Sequence, residues 1–214
     1  MKKLVLNGLD VFLLPQKAIF IPAHSLLILS DWHVGKLGHF RKEGLFVPPM
    51  QLEEDFGRLA VLLEELPVNW VAFLGDLFHS SWNREGVALQ QFLSRYPKIR
   101  FSLTRGNHDI IQDELWEASA IDCKEYILLP EGFVLSHKPL MGLKPPIYNL
   151  VGHIHPGCEV ATTARQYFRF PCFYLEGRVL TLPAFGRWTG LYMIRKRADN
   201  SIFAVVGHEI IELK

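Results

Sequence analysis

The feature that most constrains this chain is a repeated pattern in which an apolar run ends in residues able to bind metal. Leu26 to Leu29 leads into Ser30-Asp31-Trp32-His33. Val71 to Leu74 leads into Gly75-Asp76-Leu77-Phe78-His79. Phe101 to Leu103 precedes Gly106-Asn107-His108-Asp109. Ile147, Leu150 and Val151 precede Gly152-His153-Ile154-His155-Pro156, and His137 follows Phe133 to Leu135. Short apolar runs bounded this way read as buried strands. In open α/β sheets ligands gather at the carboxyl ends of strands. Five strand ends would therefore deliver Asp, His and Asn to one rim. Any one motif alone is an ordinary turn; their conjunction is what points to a site.

The remaining periodicity supplies the scaffold. Lys3 to Leu6, Val11 to Leu14, Ala18 to Ile21 and Ser25 to Leu29 read as short strands. Leu52, Phe56, Leu59, Leu63 and Leu66 share a helical face that Pro67 ends. Trp70 to Leu74 is a strand, Glu85 to Tyr96 a helix, and Ile99 to Leu103 a strand. From Cys123 onward strands dominate: Glu125 to Leu129, Phe133 to Leu135, Ile147 to Val151, Cys172 to Leu175, Arg178 to Leu182, Leu191 to Arg195 and Phe203 to Val206. Gly177 marks a turn, and Arg195-Lys196-Arg197 reads as an exposed hairpin turn. Alternating strands and helices followed by many strands predict an α/β sandwich, and 214 residues fit one domain spanning 1–214.

Composition narrows the partners. A net charge of +1 argues against broad electrostatic affinity for nucleic acid, while leaving room for a local basic patch. Cys123, Cys158 and Cys172 lack paired spacing and read as reduced thiols. Asn7, Gly8 and Asp10 interrupt the N-terminal apolar stretch too early for a signal peptide. No run approaches the roughly 20 apolar residues of a membrane span. A cytoplasmic protein is expected.

Carboxylate, imidazole and amide oxygen without thiolate suit Mn, Fe, Zn or Ni. The donors are too many for one tetrahedral ion and divide naturally between two. Asp31, His33 and His155 would hold one metal, Asn107, His137 and His153 the other, and Asp76 would bridge them. Two ions about 3.5–4 Å apart clamp the attacking and leaving oxygens of a phosphoryl displacement and generate hydroxide near neutral pH. His108 would be the general acid, or a donor to the phosphoryl group. Asp109 would hold its other ring nitrogen. His79 and His39 would line the substrate groove. Gly75, Gly106 and Gly152 would let the backbone turn tightly where ligands are aimed inward.

These motifs, in this order, resemble those of the calcineurin-like metallophosphoesterases: D-x-H, G-D-x-x-H, G-N-H-D, a later H, and G-H-x-H, across about residues 28 to 155. The resemblance implies a four-layer α-β-β-α sandwich and a dinuclear centre at which metal-bound hydroxide attacks phosphorus. Further segments, His33-Val34-Gly35-Lys36, Phe40-Arg41-Lys42-Glu43-Gly44-Leu45, Arg169-Phe170-Pro171-Cys172-Phe173 and Leu182 to Gly190, are similar to the bacterial ligase-associated DNA damage response phosphoesterases. That likeness implies manganese-dependent phosphodiesterase or endonuclease activity, and association with a DNA ligase, a helicase and an exonuclease-like protein. Leu191 stands where a second Gly is expected, and Arg187-Trp188 is bulkier than usual there; neither is a predicted ligand.

Lys36, Arg41 and Lys42 are positioned to meet a phosphate backbone, or form a solvated basic surface. Arg105 would contact a phosphoryl oxygen or make a structural ion pair. Trp82, with Phe78, Phe185 and Trp188, would offer stacking faces for unpaired bases, or pack in the core. The same centre also serves a phosphomonoesterase acting on a small metabolite. A scaffold that has lost catalysis would lack ligands or the acid histidine, and both are present.

Overall fold

The computed structural model describes residues 1–36, 51–79, 84–110, 120–161, 166–187 and 189–214. Two sheets face each other. The first contains, in spatial and chain order, β1 (Lys2–Leu6), β2 (Leu9–Leu14), β3 (Ala18–Ile21), β4 (Leu26–Leu29), β5 (Trp70–Phe73), β6 (Arg100–Thr104) and β7 (Ile121–Lys124). β1 to β4 form an antiparallel meander, and β4 to β7 are parallel. Helix α1 (Gln51–Glu65) lies in the crossover from β4 to β5, and α2 (Arg84–Leu93) in that from β5 to β6.

The second sheet holds β8 (Tyr126–Leu129), β9 (Phe133–Ser136), β10 (Tyr148–Val151), β11 (Pro156–Ala161), β12 (Tyr167–Glu176), β13 (Val179–Thr181), β14 (Tyr192–Met193), β15 (Asn200–Val206) and β16 (Glu209–Leu213). Its spatial order is β14-β11-β12-β13-β10-β9-β8, with the β15–β16 hairpin joined to β12. β9, β10 and β13 run parallel, like β4, β5 and β6. Each sheet thus has parallel central strands whose carboxyl ends share an edge.

The apolar pattern explains the layering. All four residues of β4 are buried. Leu27 and Leu29 face the helices with Val71 and Phe73 of β5, while Leu26 and Ile28 face the second sheet with Ala72 and Leu74. A strand covered on both faces reads as a continuous apolar run. Leu59, Leu62 and Leu63 of α1 and Leu89, Phe92 and Leu93 of α2 complete the helical side, with Phe56 stacked on Phe92 at 4.8 Å. Phe133, Leu135, Leu150, Phe173, Leu180 and Phe203 meet the first sheet across the inner core.

The result is a mixed α/β sandwich. Helices α1 and α2 both cover the seven-stranded sheet. The outer face of the other sheet carries a smaller cluster around Cys158, Cys172, Tyr174, Ile202 and Ala204. β7, β11 and β16 escape sequence reasoning because each interleaves charge with apolar residues. α2 stops at Leu93 rather than Tyr96, and the next turns are closed by Arg95 and Tyr96 N–H groups. The chain turns at Ala198-Asp199, just after the charged Arg195 to Arg197 stretch. Among the described residues no helix is long and apolar enough to cross a membrane.

Candidate metal centre

Strand β4 ends at Leu29 and β5 at Phe73, but their loops continue to pair. Asp31 N–H donates to Gly75 O (3.2 Å), His33 N–H to Asp76 O (2.9 Å) and Val34 N–H to Leu77 O (2.8 Å). Asp31, His33, Asp76, His153 and His155 all have positive φ, between 48° and 75°. Left-handed backbone costs a non-glycine residue about 1–3 kcal/mol, and such residues cluster at functional sites. Gly152-His153-Ile154-His155 is therefore no extension of β10; two left-handed residues turn both imidazoles inward.

Two groups of three side chains result: Asp31, His33 and His155, and Asp76, His137 and His153; within each, the donor atoms lie within 4.8 Å of one another. In the first, Nε2 of His155 is 3.3 Å from both Asp31 Oδ1 and His33 Nε2. In the second, His137 Nε2 is 3.1 Å from His153 Nδ1, 3.1 Å from Asn107 Oδ1 and 3.5 Å from Asp76 Oδ2. His137 Nδ1 donates to Leu74 O at 2.9 Å, which leaves Nε2 as a lone pair facing other lone pairs. Asp31 Oδ1 is buried without a hydrogen-bond partner among the described residues. Convergent lone pairs and an orphaned buried carboxylate oxygen fit a divalent cation.

The electrostatics agree. Burial holds His33 at a pKa of about 3, so its ring is neutral and available as a ligand. Burial, then His137 and Lys138, lower His153 as well. Burial alone would raise the Asp31 carboxyl; His155 and Ser30 outweigh it and hold the group below the usual range. Asp31 Oδ2 accepts the Ser30 hydroxyl and the His153 N–H. Asp76 Oδ1 accepts the His108 N–H, leaving Oδ2 toward His137.

The glycines act mainly by close approach. A Cβ at Gly152 would overlap Ser30 Oγ and Asp31 Oδ2, and one at Gly106 would overlap Asp76. At Gly75 it would overlap the His137 ring, and here φ is also +74°.

His108 sits beside the centre, its ring stacked on His79 at 5.3 Å and edge-on to His33 at 5.5 Å. Asp109 does not support it as expected. Its buried carboxylate accepts the N–H groups of Phe78 (3.0 Å) and Gly106 (2.8 Å), so it braces the loop that carries Asn107. Burial raises its pKa despite these bonds. Lys36 lines a cavity beside His33, with Asp55, Glu85 and Arg187. Arg105 lines another beside Asn107 and His137. Phe78 and Phe185 are buried and offer no stacking face. His39, Arg41, Lys42, Trp82 and Trp188 lie outside the described residues.

Sequence reasoning missed a clasp behind Asp31. Phe185 N–H donates to Ser30 O (2.7 Å) and Gly186 N–H to Asp31 O (3.2 Å). Arg58 of α1 donates to Phe185 O and lies 4.0 Å over its ring, while Lys17 donates to Gly186 O. Trp32, between two of the donor residues, packs edge-on against Phe185 and Phe56. Arg58 and Phe185 are 127 residues apart, and no local pattern links them.

The calcineurin-like phosphoesterase family model matches residues 24–208. The chain belongs to this family. It is a metal-dependent phosphoester hydrolase. The chain of this calcineurin-like phosphoesterase is similar over its full length to the nuclease MPE of Pseudomonas putida. The two share 27% identity, with 99% of each chain covered and a TM-score of 0.81. That likeness is consistent with the ligase-associated phosphoesterase type. YfcE, a phosphoesterase from E. coli, matches at 17% identity over 88% of this chain and 97% of its own, with a TM-score of 0.45. No curated protein matches significantly.

Proposed function

We propose that the enzyme is a phosphodiesterase or endonuclease acting on DNA or nucleotide diesters within a ligase-associated DNA repair system. The observation that carries this reading is the pair of adjacent donor groups, Asp31–His33–His155 and Asp76–His137–His153. Full-length likeness to a protein described as a nuclease supports the substrate class. Asp31, His33 and His155 would hold one divalent ion, and Asn107, His137 and His153 a second, with Asp76 shared; manganese is the ion proposed. Such a pair supplies a nucleophilic oxygen from water near neutral pH and neutralises charge on the phosphoryl oxygens.

The chain's own groups do the rest. The His108 imidazole, stacked on His79, is placed to give a proton to the leaving oxygen. Asp109 holds the Asn107–His108 loop in register through Gly106 and Phe78. Hydrolysis of bis-p-nitrophenyl phosphate with Mn²⁺ tests the reading. Asp76→Ala and His153→Ala should each lose at least about 100-fold in kcat/KM; full activity in either variant would contradict it.

The net charge of +1 favours a second reading, a phosphomonoesterase acting on a small metabolite. Turnover of p-nitrophenyl phosphate well above that of the diester would select it. Association with a DNA ligase, a helicase and an exonuclease-like protein belongs to the first reading. A pulldown that retains the helicase supports it, and one that retains none of the three counts against it.

A further inference from the structure

We propose that Tyr192, Phe170 and Phe168 form a stacking track for the unpaired bases of a nucleic-acid strand that leaves the metal centre along β11. This rests on the phosphodiesterase reading and names the part of the substrate that is recognised. β11 starts at Pro156, the residue after the donor His155. β14 lies beside it, and the Tyr192 N–H donates to His155 O at 3.0 Å. The register sets Tyr192 opposite Pro156, Phe170 opposite Cys158 and Phe168 opposite Val160. Residues two apart along a strand share a face. All three rings therefore stand on the outer face of the second sheet, the face that carries Cys158, Cys172 and Ile194. They form a row that begins one backbone hydrogen bond from a donor residue and runs outward along the β11–β12 hairpin.

The row does not serve to pack the sheet. Tyr192 is 63% exposed and Phe168 48%. Phe170 is half-buried, yet among the described residues it does not join the cluster around Cys158 and Cys172. The Phe168 and Phe170 rings are 6.4 Å apart and tilted, so they are not stacked face to face. Exposed rings gain by being covered, and an unpaired base supplies a flat apolar face to cover them. Base–aromatic stacking tolerates any sequence and needs no net charge on the protein. That suits a chain whose net charge is only +1. The other face of the hairpin differs: Arg169 is ion-paired there with Glu159 at 3.2 Å, and Tyr167, also exposed, stands opposite Ala161. A duplex keeps its bases stacked on one another, so only an unpaired strand can use the row. Phe78 and Phe185, expected to offer such faces, are buried, and these three rings take their place.

A strand without bases provides the test. With the Mn²⁺-loaded enzyme, kcat/KM is measured for a single-stranded oligonucleotide and for an abasic strand of equal length, which carries the same phosphates. Bis-p-nitrophenyl phosphate is followed in parallel. Wild type should prefer the base-bearing strand by at least about 20-fold, and Tyr192→Ala and Phe168→Ala should each lower that preference about 5-fold. Tyr192→Phe, which keeps the ring, should retain it. Tyr167→Ala, on the opposite face, should leave the preference within about 2-fold of wild type. Equal cleavage of the two strands by wild type, the result expected if this face receives a protein instead, would overturn the track. So would a preference unchanged in both Ala variants, or one lowered as much by Tyr167→Ala. Wild-type turnover of the diester without cleavage of either strand would overturn the track and leave the phosphodiesterase reading standing. Absence of turnover on all three substrates would overturn that reading and the track with it.

Discussion

Gly152 shows how little room the centre leaves. Adding one methyl there drives it into Ser30 Oγ and Asp31 Oδ2, the two ends of a hydrogen bond that holds the Asp31 carboxylate in place. Gly152→Ala should lower Mn²⁺ affinity roughly 10- to 100-fold, the usual cost of disturbing groups that orient a metal ligand. Isothermal titration measures it, and wild-type affinity would contradict the packing. Asp109 and His108 are neighbours with separable roles. Asp109→Ala strands the Phe78 and Gly106 N–H groups and should cost about 2–4 kcal/mol in denaturant unfolding. His108→Ala should leave stability within about 0.5 kcal/mol and lower kcat by about 10²-fold or more. The ligand-type residues were legible because Asp, His and Asn stand straight after apolar runs. Asp109's task was not, because its partner Phe78 is 31 residues away.

At the scale of elements, legibility followed burial. β4 and β5 are covered on both faces and announce themselves as apolar runs. β7 and β16 lie at sheet edges, where mixed polarity costs nothing and leaves no periodic signal. The clasp behind Asp31 joins α1, the β2–β3 turn and the segment after β13, three elements that no sequence window spans together. Arg58→Ala removes the nearest counter-charge of the largely buried Asp55, leaving Arg187 at 3.8 Å, and removes the donor to Phe185 O. It should cost about 3 kcal/mol in unfolding free energy. Lys17 gives the same region a pH signature. Burial, then Arg58, lower its pKa from 10.5 to about 7. Between those values the unfolded chain binds a proton that the native chain does not, so stability rises with pH across the window. The penalty is fully present below pH 7. The slope from this group is at most about 1.4 kcal/mol per pH unit. Lys17→Met should flatten the stability profile between pH 7 and 10.5; an unaltered slope would show that the ammonium is not desolvated there.

For the whole molecule, the two sheets matter because each brings half of the centre. The segments after β4, β5 and β6 carry Asp31, His33, Asp76 and Asn107, while those after β9 and β10 carry His137, His153 and His155. Neither sheet alone completes either donor group, since His155 joins Asp31 and His33, and Asp76 joins His137 and His153. Folding of the sandwich and assembly of the centre are thus one event, and metal binding should raise the thermal midpoint. The central claim is that two ions bind one chain and that both are needed for hydrolysis. Counting bound Mn²⁺ while metal-stripped enzyme is titrated, with bis-p-nitrophenyl phosphate turnover followed in parallel, tests it most directly. Two ions per chain, with turnover rising as the second binds, is the predicted result. One ion at saturation, or full turnover by the stripped enzyme, would contradict it.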